Sequence, residues 1–196
     1  IVAKEYYGKT DSCAGFSIPA SEHSTMTSWG KSGEVQAYKN MLDQNPSGLV
    51  ACVSDSYDIF YACQHLWGEE LKDQIMSREG TLVIRPDSGD PKTVNLKILE
   101  ILGNQFGFTI NQKGYKVLDP HVRVIQGDGI CYETLIDILE HLKSNGWSAD
   151  NIAFGSGGGL LQKMDRDTQK CAFKCCLAII DGQEVAVQKD PITDSG

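Results

Sequence analysis

The chain has 196 residues, 41% hydrophobic and 22% charged, which allows one sizeable packed domain and argues against wholesale disorder. Its formal net charge of −8 disfavours a nucleic-acid backbone or an anionic membrane as main partner. No run approaches the ~20 apolar residues of a membrane helix, no secretory signal is visible, and seven cysteines without a Cys-x-x-Cys pair fit a reduced compartment.

Residues 1–22 are turn-rich and read as irregular, with one short strand at most. Hydroxyls crowd around His23 in residues 20–30, which read as a short helix capped by Ser21 and stopped at Gly30. Residues 33–44 form a second helix, with Val35, Ala37, Tyr38, Met41 and Leu42 at helical spacing. A rhythm then sets in. The continuously apolar strand 49–53 suggests burial on both faces and ends in Ser54-Asp55-Ser56. A helix follows with Ile59, Cys63, Leu66 and Trp67 on one face. Strand 81–84 ends in Arg85-Pro86-Asp87-Ser88-Gly89. Asp90 caps the next helix with Pro91 at its first position, and Val94, Ile98, Leu99, Ile101 and Leu102 form its stripe.

Residues 103–120 read as a polar insertion with a hairpin around Lys113-Gly114. Strand 122–125 ends in Gln126-Gly127-Asp128-Gly129, and its helix carries Leu135, Ile138, Leu139 and Leu142. Strand 151–154 ends in Gly155-Ser156-Gly157-Gly158-Gly159. Residues 160–170 are helix-like, and strand 172–180 closes the run, with residues 185–187 as its hairpin partner. Asp55, Asp87, Asp128 and Gly155 are separated by 32, 41 and 27 residues, which fits one βαβ unit of about 30 residues or more per interval. The fold class is therefore α/β, a parallel sheet that is open or barrel-shaped. The chain opens at Ile1 rather than Met and stops just after a strand-like segment, so a partial chain with an unclosed fold is expected.

Polar residues end every strand, and in a barrel those ends converge on one face. The glycine run 155–159 offers unobstructed N–H groups to an anion. It is neither a Walker loop nor a dinucleotide fingerprint, since Gly-Lys-Ser/Thr is missing and Leu160 takes the last glycine's place. Lys163 and Arg166 could neutralise the same anion. Asp55, Asp87 and Asp128 could each be a helix cap, but three at successive strand ends point to a site for ribose hydroxyls, Mg²⁺ or an oriented histidine. Arg85 offers a two-pronged contact to phosphate. His23 alone is unremarkable; among Glu22, Ser24 and Thr25 its tautomer can be held for attack on a phosphoryl group. The residues thus describe part of an α/β barrel-like protein that binds a phosphorylated, hydroxyl-rich ligand with Mg²⁺.

The runs Ala20-Ser21-Glu22-His23-Ser24-Thr25, Val53-Ser54-Asp55-Ser56-Tyr57-Asp58, Ile84-Arg85-Pro86-Asp87-Ser88-Gly89, Arg123-Val124-Ile125-Gln126-Gly127-Asp128-Gly129 and residues 151–163 closely resemble the nicotinamide-using members of the type II phosphoribosyltransferase family. The resemblance runs in order along almost the whole chain. It implies an irregular (β/α) barrel, incomplete here, working as a cytoplasmic homodimer, with nuclear or secreted forms as alternatives. It further implies phosphoribosyl transfer from phosphoribosyl pyrophosphate to nicotinamide in NAD salvage, with Mg²⁺ bound mainly through substrate phosphates and ATP hydrolysed through a phosphohistidine. By motif match His23 accepts the phosphate, Asp55 orients it, and His23 and Arg85 meet the diphosphate. Asp87 and Asp128 hold ribose hydroxyls beside Gly127, while Gly157, Gly158 and Arg166 cradle the nucleotide phosphate. Asp87 counts with His23 and Asp55 as catalytic. Nicotinate as the base, or a non-catalytic nucleotide-binding or extracellular signalling role, are the alternatives. The family's N-terminal half, which reads the base, is missing from this chain. Cys131 also stands where the resemblance leads one to expect a capping aspartate, at a cost of ~1 kcal/mol to the following helix.

Overall fold

Four apolar runs rich in β-branched residues pair into a parallel sheet in the computed structural model, which describes residues 5–6, 17–157 and 168–193. They are β1 (Ser47–Val53), β2 (Glu79–Arg85) and, after a hairpin of β3 (Phe108–Ile110) with β4 (Lys116–Leu118), β5 (Val122–Gln126) and β6 (Ile152–Phe154). The order is β1-β2-β5-β6, with Val53 level with Arg85, Ile84 with Val124 and Gln126 with Phe154. All four carboxyl ends therefore finish along one edge. The sheet is open, and no barrel closes among the described residues. Residues 19–21 extend it beyond β1: the Ala51 N–H donates to the Pro19 carbonyl at 2.9 Å and the Ser21 N–H to the Ala51 carbonyl at 3.0 Å.

That pairing takes Ser21 away from helix capping. Its hydroxyl accepts the Val53 N–H at 2.9 Å instead. Glu22 becomes the cap of α1 (His23–Thr27), which begins one residue later at His23. A 3₁₀ turn over Lys31–Gly33 leads into α2 (Glu34–Gln44). The helix after β1 starts as α3 (Ile59–Tyr61) and continues as a π-helix over Ala62–Glu70, a widening that side-chain periodicity does not register. Next come α4 (Lys72–Ser77), α5 (Pro91–Phe106) and α6 (Tyr132–Ser144). Asp90 caps α5 through the Thr93 N–H, with Pro91 in the first turn, as its residues predict.

Alternate strand residues Val50, Cys52, Leu82, Ile84, Val122 and Val124 have no exposed surface. They pack with Ile98, Leu99 and Leu102 of α5 and Ile138 of α6 in one core. Complete burial of each such aliphatic side chain contributes about 1.5–3 kcal/mol. α5 runs through Gly103, which the sequence alone assigns to the insertion. A side chain there would meet the Trp147 ring at 2.8 Å, so the glycine serves helix packing and the helix ends only at Gly107. At α6 Thr134 supplies the reciprocal half of a capping box, its hydroxyl accepting the Cys131 N–H at 2.9 Å.

The expected fifth strand is shorter than residues 172–180 and does not join the sheet. β7 (Leu177–Ile180) pairs antiparallel with β8 (Gln183–Ala186) as a separate hairpin. The six described cysteines are free thiols.

Close to the β1 end lies a buried carboxyl. Glu34 accepts the Tyr38 hydroxyl at 2.8 Å. Tyr38 stacks on Trp67 at 4.2 Å, whose indole N–H donates to the Ser54 hydroxyl at 3.1 Å. Burial pushes the Glu34 carboxyl up to about 7, against the opposing effects of Tyr38 and Lys31. Folded Glu34 thus holds its proton more tightly than the unfolded group, whose ordinary value is 4.5. Its contribution to stability is complete below that value and is lost as pH rises through about 7. Glu34→Gln keeps the acceptor for Tyr38. In urea melts of the complete protein it is expected to flatten the fall in stability between pH 4.5 and about 7; an unchanged profile would count against the buried ionisable group.

Candidate active site

The residues after β1, β2 and β5 meet the start of α1 at the carboxyl edge of the sheet. The Glu22 carboxylate accepts the Ser24 N–H at 2.7 Å and also the Ser24 hydroxyl, which fixes the first turn that carries His23. His23 is buried, with Nε2 2.8 Å from Asp55 Oδ1. Asp55 has no exposed surface. Its second oxygen accepts the Asp87 N–H at 3.2 Å. The Asp87 carboxylate in turn lies 3.9 Å from His23 Nδ1 and 3.7 Å from Arg85 Nη2. Burial by itself would push the Asp55 carboxyl up. Hydrogen bonds from His23 and Ser88, with the positive fields of His23 and Lys189, outweigh burial and hold the group below its ordinary value.

A cavity of about 590 Å³ opens here, with His23, Asp87, Asp128, Lys174 and Lys189 in its walls. The two lysines come from the segment that carries β7 and β8. This segment is fastened to the strand ends: the Asp190 N–H donates to the Ser56 carbonyl at 2.7 Å and the Ile192 N–H to the Tyr57 carbonyl at 2.8 Å. The Ser88 and Thr193 hydroxyls meet at 2.7 Å. Arg85 keeps its Nε buried with no hydrogen-bond partner among the described residues. Such a donor is costly to leave unmade and is suited to an incoming oxygen.

The turn after β5 is held from below. Buried Gln126 donates from Nε2 to the Asp128 carbonyl at 3.0 Å, and Gly129 turns the chain at φ 66°, where glycine has no Cβ penalty. Gly127 packs beside Asp87; a Cβ there would lie 3.7 Å from Asp87 Oδ1. The Gly155 N–H donates to the Gln126 carbonyl at 2.9 Å, so the glycine-rich run starts next to this turn, and Gly157 is exposed. Gly158, Lys163 and Arg166 lie outside the described residues.

Chemically, Asp55 occupies His23 Nε2 and leaves Nδ1 available, the arrangement of an oriented nucleophile or proton carrier. Asp87 and Asp128 can accept from hydroxyls. Arg85, Lys174 and Lys189 can meet anions. The nicotinate phosphoribosyltransferase (NAPRTase) family model matches residues 6–196. The chain belongs to this family.

Relatives of this nicotinate phosphoribosyltransferase-family chain include proteins named nicotinamide phosphoribosyltransferase. One from Xanthomonas campestris pv. campestris is 57% identical over 93% of the chain and 39% of its own length. A second, from Mycoplasma pneumoniae, is 36% identical over 97% of the chain and 46% of its own length. A third, from Acinetobacter baylyi, is 32% identical over 99% of the chain and 42% of its own length. The chain therefore spans 39–46% of the length of these curated relatives.

Of the residues singled out by sequence, the structure gathers His23, Asp55, Arg85, Asp87, Gly127 and Asp128 at one edge. Lys174 and Lys189 are site residues that the sequence does not mark. Neither follows a strand of the main sheet, so nothing in the β–loop–α rhythm marks them. Ser88 lies inside the Arg85–Gly89 motif, and its serine was the available signal.

Asp55→Asn offers one acceptor where His23 and the Asp87 N–H need two. It is expected to lower stability at neutral pH by about 1–3 kcal/mol in urea denaturation. The depressed carboxyl contributes stability above its ordinary value of 3.8 that is lost as pH falls through the lower folded value, so the variant should also lose stability less steeply in acid. Wild-type stability in the folded variant would contradict the bridging role.

Proposed function

We propose that this chain carries the ribose- and phosphate-handling part of an enzyme that transfers a phosphoribosyl group from phosphoribosyl pyrophosphate to nicotinamide, releasing pyrophosphate and nicotinamide mononucleotide in NAD salvage. The observation that carries the reading is the His23–Asp55–Asp87 cluster facing a cavity with lysines in its wall, in a chain whose relatives bear that enzyme's name. Those names favour nicotinamide over nicotinate as the base.

Breaking the anomeric bond to pyrophosphate builds positive charge on the sugar and negative charge on the leaving group. Asp87 and Asp128 would stand by the ribose, accepting from its hydroxyls and stabilising the developing cation. Arg85, Lys174 and Lys189 would stand by the phosphates, with the unpaired Arg85 Nε as a donor already desolvated. His23 is proposed to accept the γ-phosphoryl group of ATP. Its Nδ1 lone pair forms the new N–P bond, the bond to the ADP oxygen breaks, and Nε2 keeps its proton, hydrogen-bonded to Asp55. Asp55 also stabilises the positive charge that attack places on the ring. Gly157, Gly158 and Arg166 are proposed for the nucleotide phosphate.

Among the described residues no three His, Cys, Asp or Glu side chains gather as a metal cage. A Mg²⁺ ion would arrive mainly on substrate phosphates, with Asp87 or Asp128 as the protein carboxylates that could help hold it, since Mg²⁺ commonly needs only one or two; it would neutralise phosphate charge. No helix of the described residues is long and apolar enough to cross a membrane. A homodimer and a cytoplasmic location complete the reading and rest on family resemblance.

In the complete protein His23→Ala is expected to abolish acid-labile phosphate incorporation from γ-labelled ATP and to remove the gain in mononucleotide yield that ATP gives. Undiminished labelling would overturn the phosphohistidine role. Side-by-side assays with nicotinamide and nicotinate test the base, and a preference for nicotinate would overturn that choice.

A further inference from the structure

The middle of α5 contains a residue that helix propensity and hydrophobic packing both disfavour. Asn95 is a poor helix former and has no exposed surface. Its Nδ2 uses both hydrogens. One goes to the Pro91 carbonyl at 2.7 Å and the other to Gln126 Oε1 at 2.8 Å. Its Oδ1, by contrast, is buried with no partner among the described residues. Donation is thus the only hydrogen bonding this side chain performs there. Gln126, itself 4% exposed, has one side of its amide filled by Asn95, which aims the other side, Nε2, at the Asp128 carbonyl at 3.0 Å.

We infer that Asn95 and Gln126 are positioning residues that set the turn carrying Asp128 into the cavity. Neither touches the cavity in its own right. The relay has a direction, donor to acceptor at each step, and that direction makes isosteric variants informative. Asp at position 95 presents only acceptors when ionised. It repels Gln126 Oε1 and invites Nε2 to turn round, which would point an oxygen at the Asp128 carbonyl. Glu at position 126, when ionised, still accepts from Asn95 but has no hydrogen for that carbonyl. The two substitutions sit on different elements and break the same last bond, with little change in packed volume.

The link to substrate rests on the reading of Asp128 as a ribose ligand, so the test separates the two. In the complete protein, hydrogen exchange of the peptide spanning residues 127–130 is measured for Asn95→Asp and Gln126→Glu beside wild type. Michaelis constants are measured for phosphoribosyl pyrophosphate and nicotinamide. Faster exchange in that peptide is expected in both variants. The Michaelis constant for phosphoribosyl pyrophosphate should rise about tenfold, less than the roughly hundredfold loss that a 1 Å misplacement can cause. That for nicotinamide should be unchanged. Wild-type exchange in either folded variant overturns the relay. Should Asn95→Asp fail to fold, Gln126→Glu decides alone. Faster exchange with both Michaelis constants unchanged supports the tether and refutes the ribose role of Asp128.

Discussion

The site depends on one carboxylate held out of water. Isolating a charged Asp55 from solvent is strongly unfavourable, and its position is tolerable only because every approach to it is filled. His23 comes from the start of α1, the Asp87 N–H from the turn after β2, and Ser88 from the same turn. Two separate segments, the start of α1 and the turn after β2, are thereby bound to a single side chain at the end of β1. Neither can drift without leaving the carboxylate short of a partner. A buried ion of this kind is a poor source of net stability, but it is an effective way to fix relative positions. The imidazole is held at one nitrogen and left available at the other.

Topology explains why those partners meet. A parallel sheet needs a long crossover after each strand, so all carboxyl ends fall on the same edge and each delivers a loop to one place. The pairing of residues 19–21 with β1 extends this logic to His23, which follows no strand of the main sheet yet arrives at the same edge. The opposite wall has another origin. Residues 168–193 return over the strand ends and are fastened there through Ser56, Tyr57 and Ser88. Acidic groups thus come from the strand ends and lysines from the covering segment. Arg85, the last residue of β2, adds a cation on the strand side, 3.7 Å from Asp87, so both signs of charge meet at this edge.

The parts of this arrangement legible from sequence were those governed by local rules. The apolar strand cores, the Asp90-Pro91 helix start and the hairpin around Lys113-Gly114 depend on neighbours a few residues away, and they appear in place. What was illegible depended on distant partners. Ser21 has a strong capping propensity, but the edge of β1 captured its hydroxyl. Gly103 falls in the expected polar insertion, yet α5 runs through it, because Trp147, which occupies its missing side-chain space, lies 44 positions on. The register of the π-helix does not alter which residues are apolar. Lys174 and Lys189 became part of the site only through the path of a hairpin that sequence reading assigned to the sheet.

The turn after β5 combines these influences. Cys131 is a weak cap at the head of α6, but Thr134 accepts its N–H and donates to the Gly129 carbonyl at 2.8 Å. Gln126 holds the Asp128 carbonyl from the other side. The backbone of residues 126–131 is therefore secured at both ends by side chains that do not enter the cavity. The Asp128 carboxylate stands in the cavity wall above this support. For the ribose role proposed for Asp128, the target is a small, directional hydroxyl, and reading it requires a carboxylate on a firmly held main chain. Holding the peptide groups firmly while leaving the side chain at the wall meets that requirement. It also accounts for the polar amides of Asn95 and Gln126 in a layer where aliphatic residues would pack more easily.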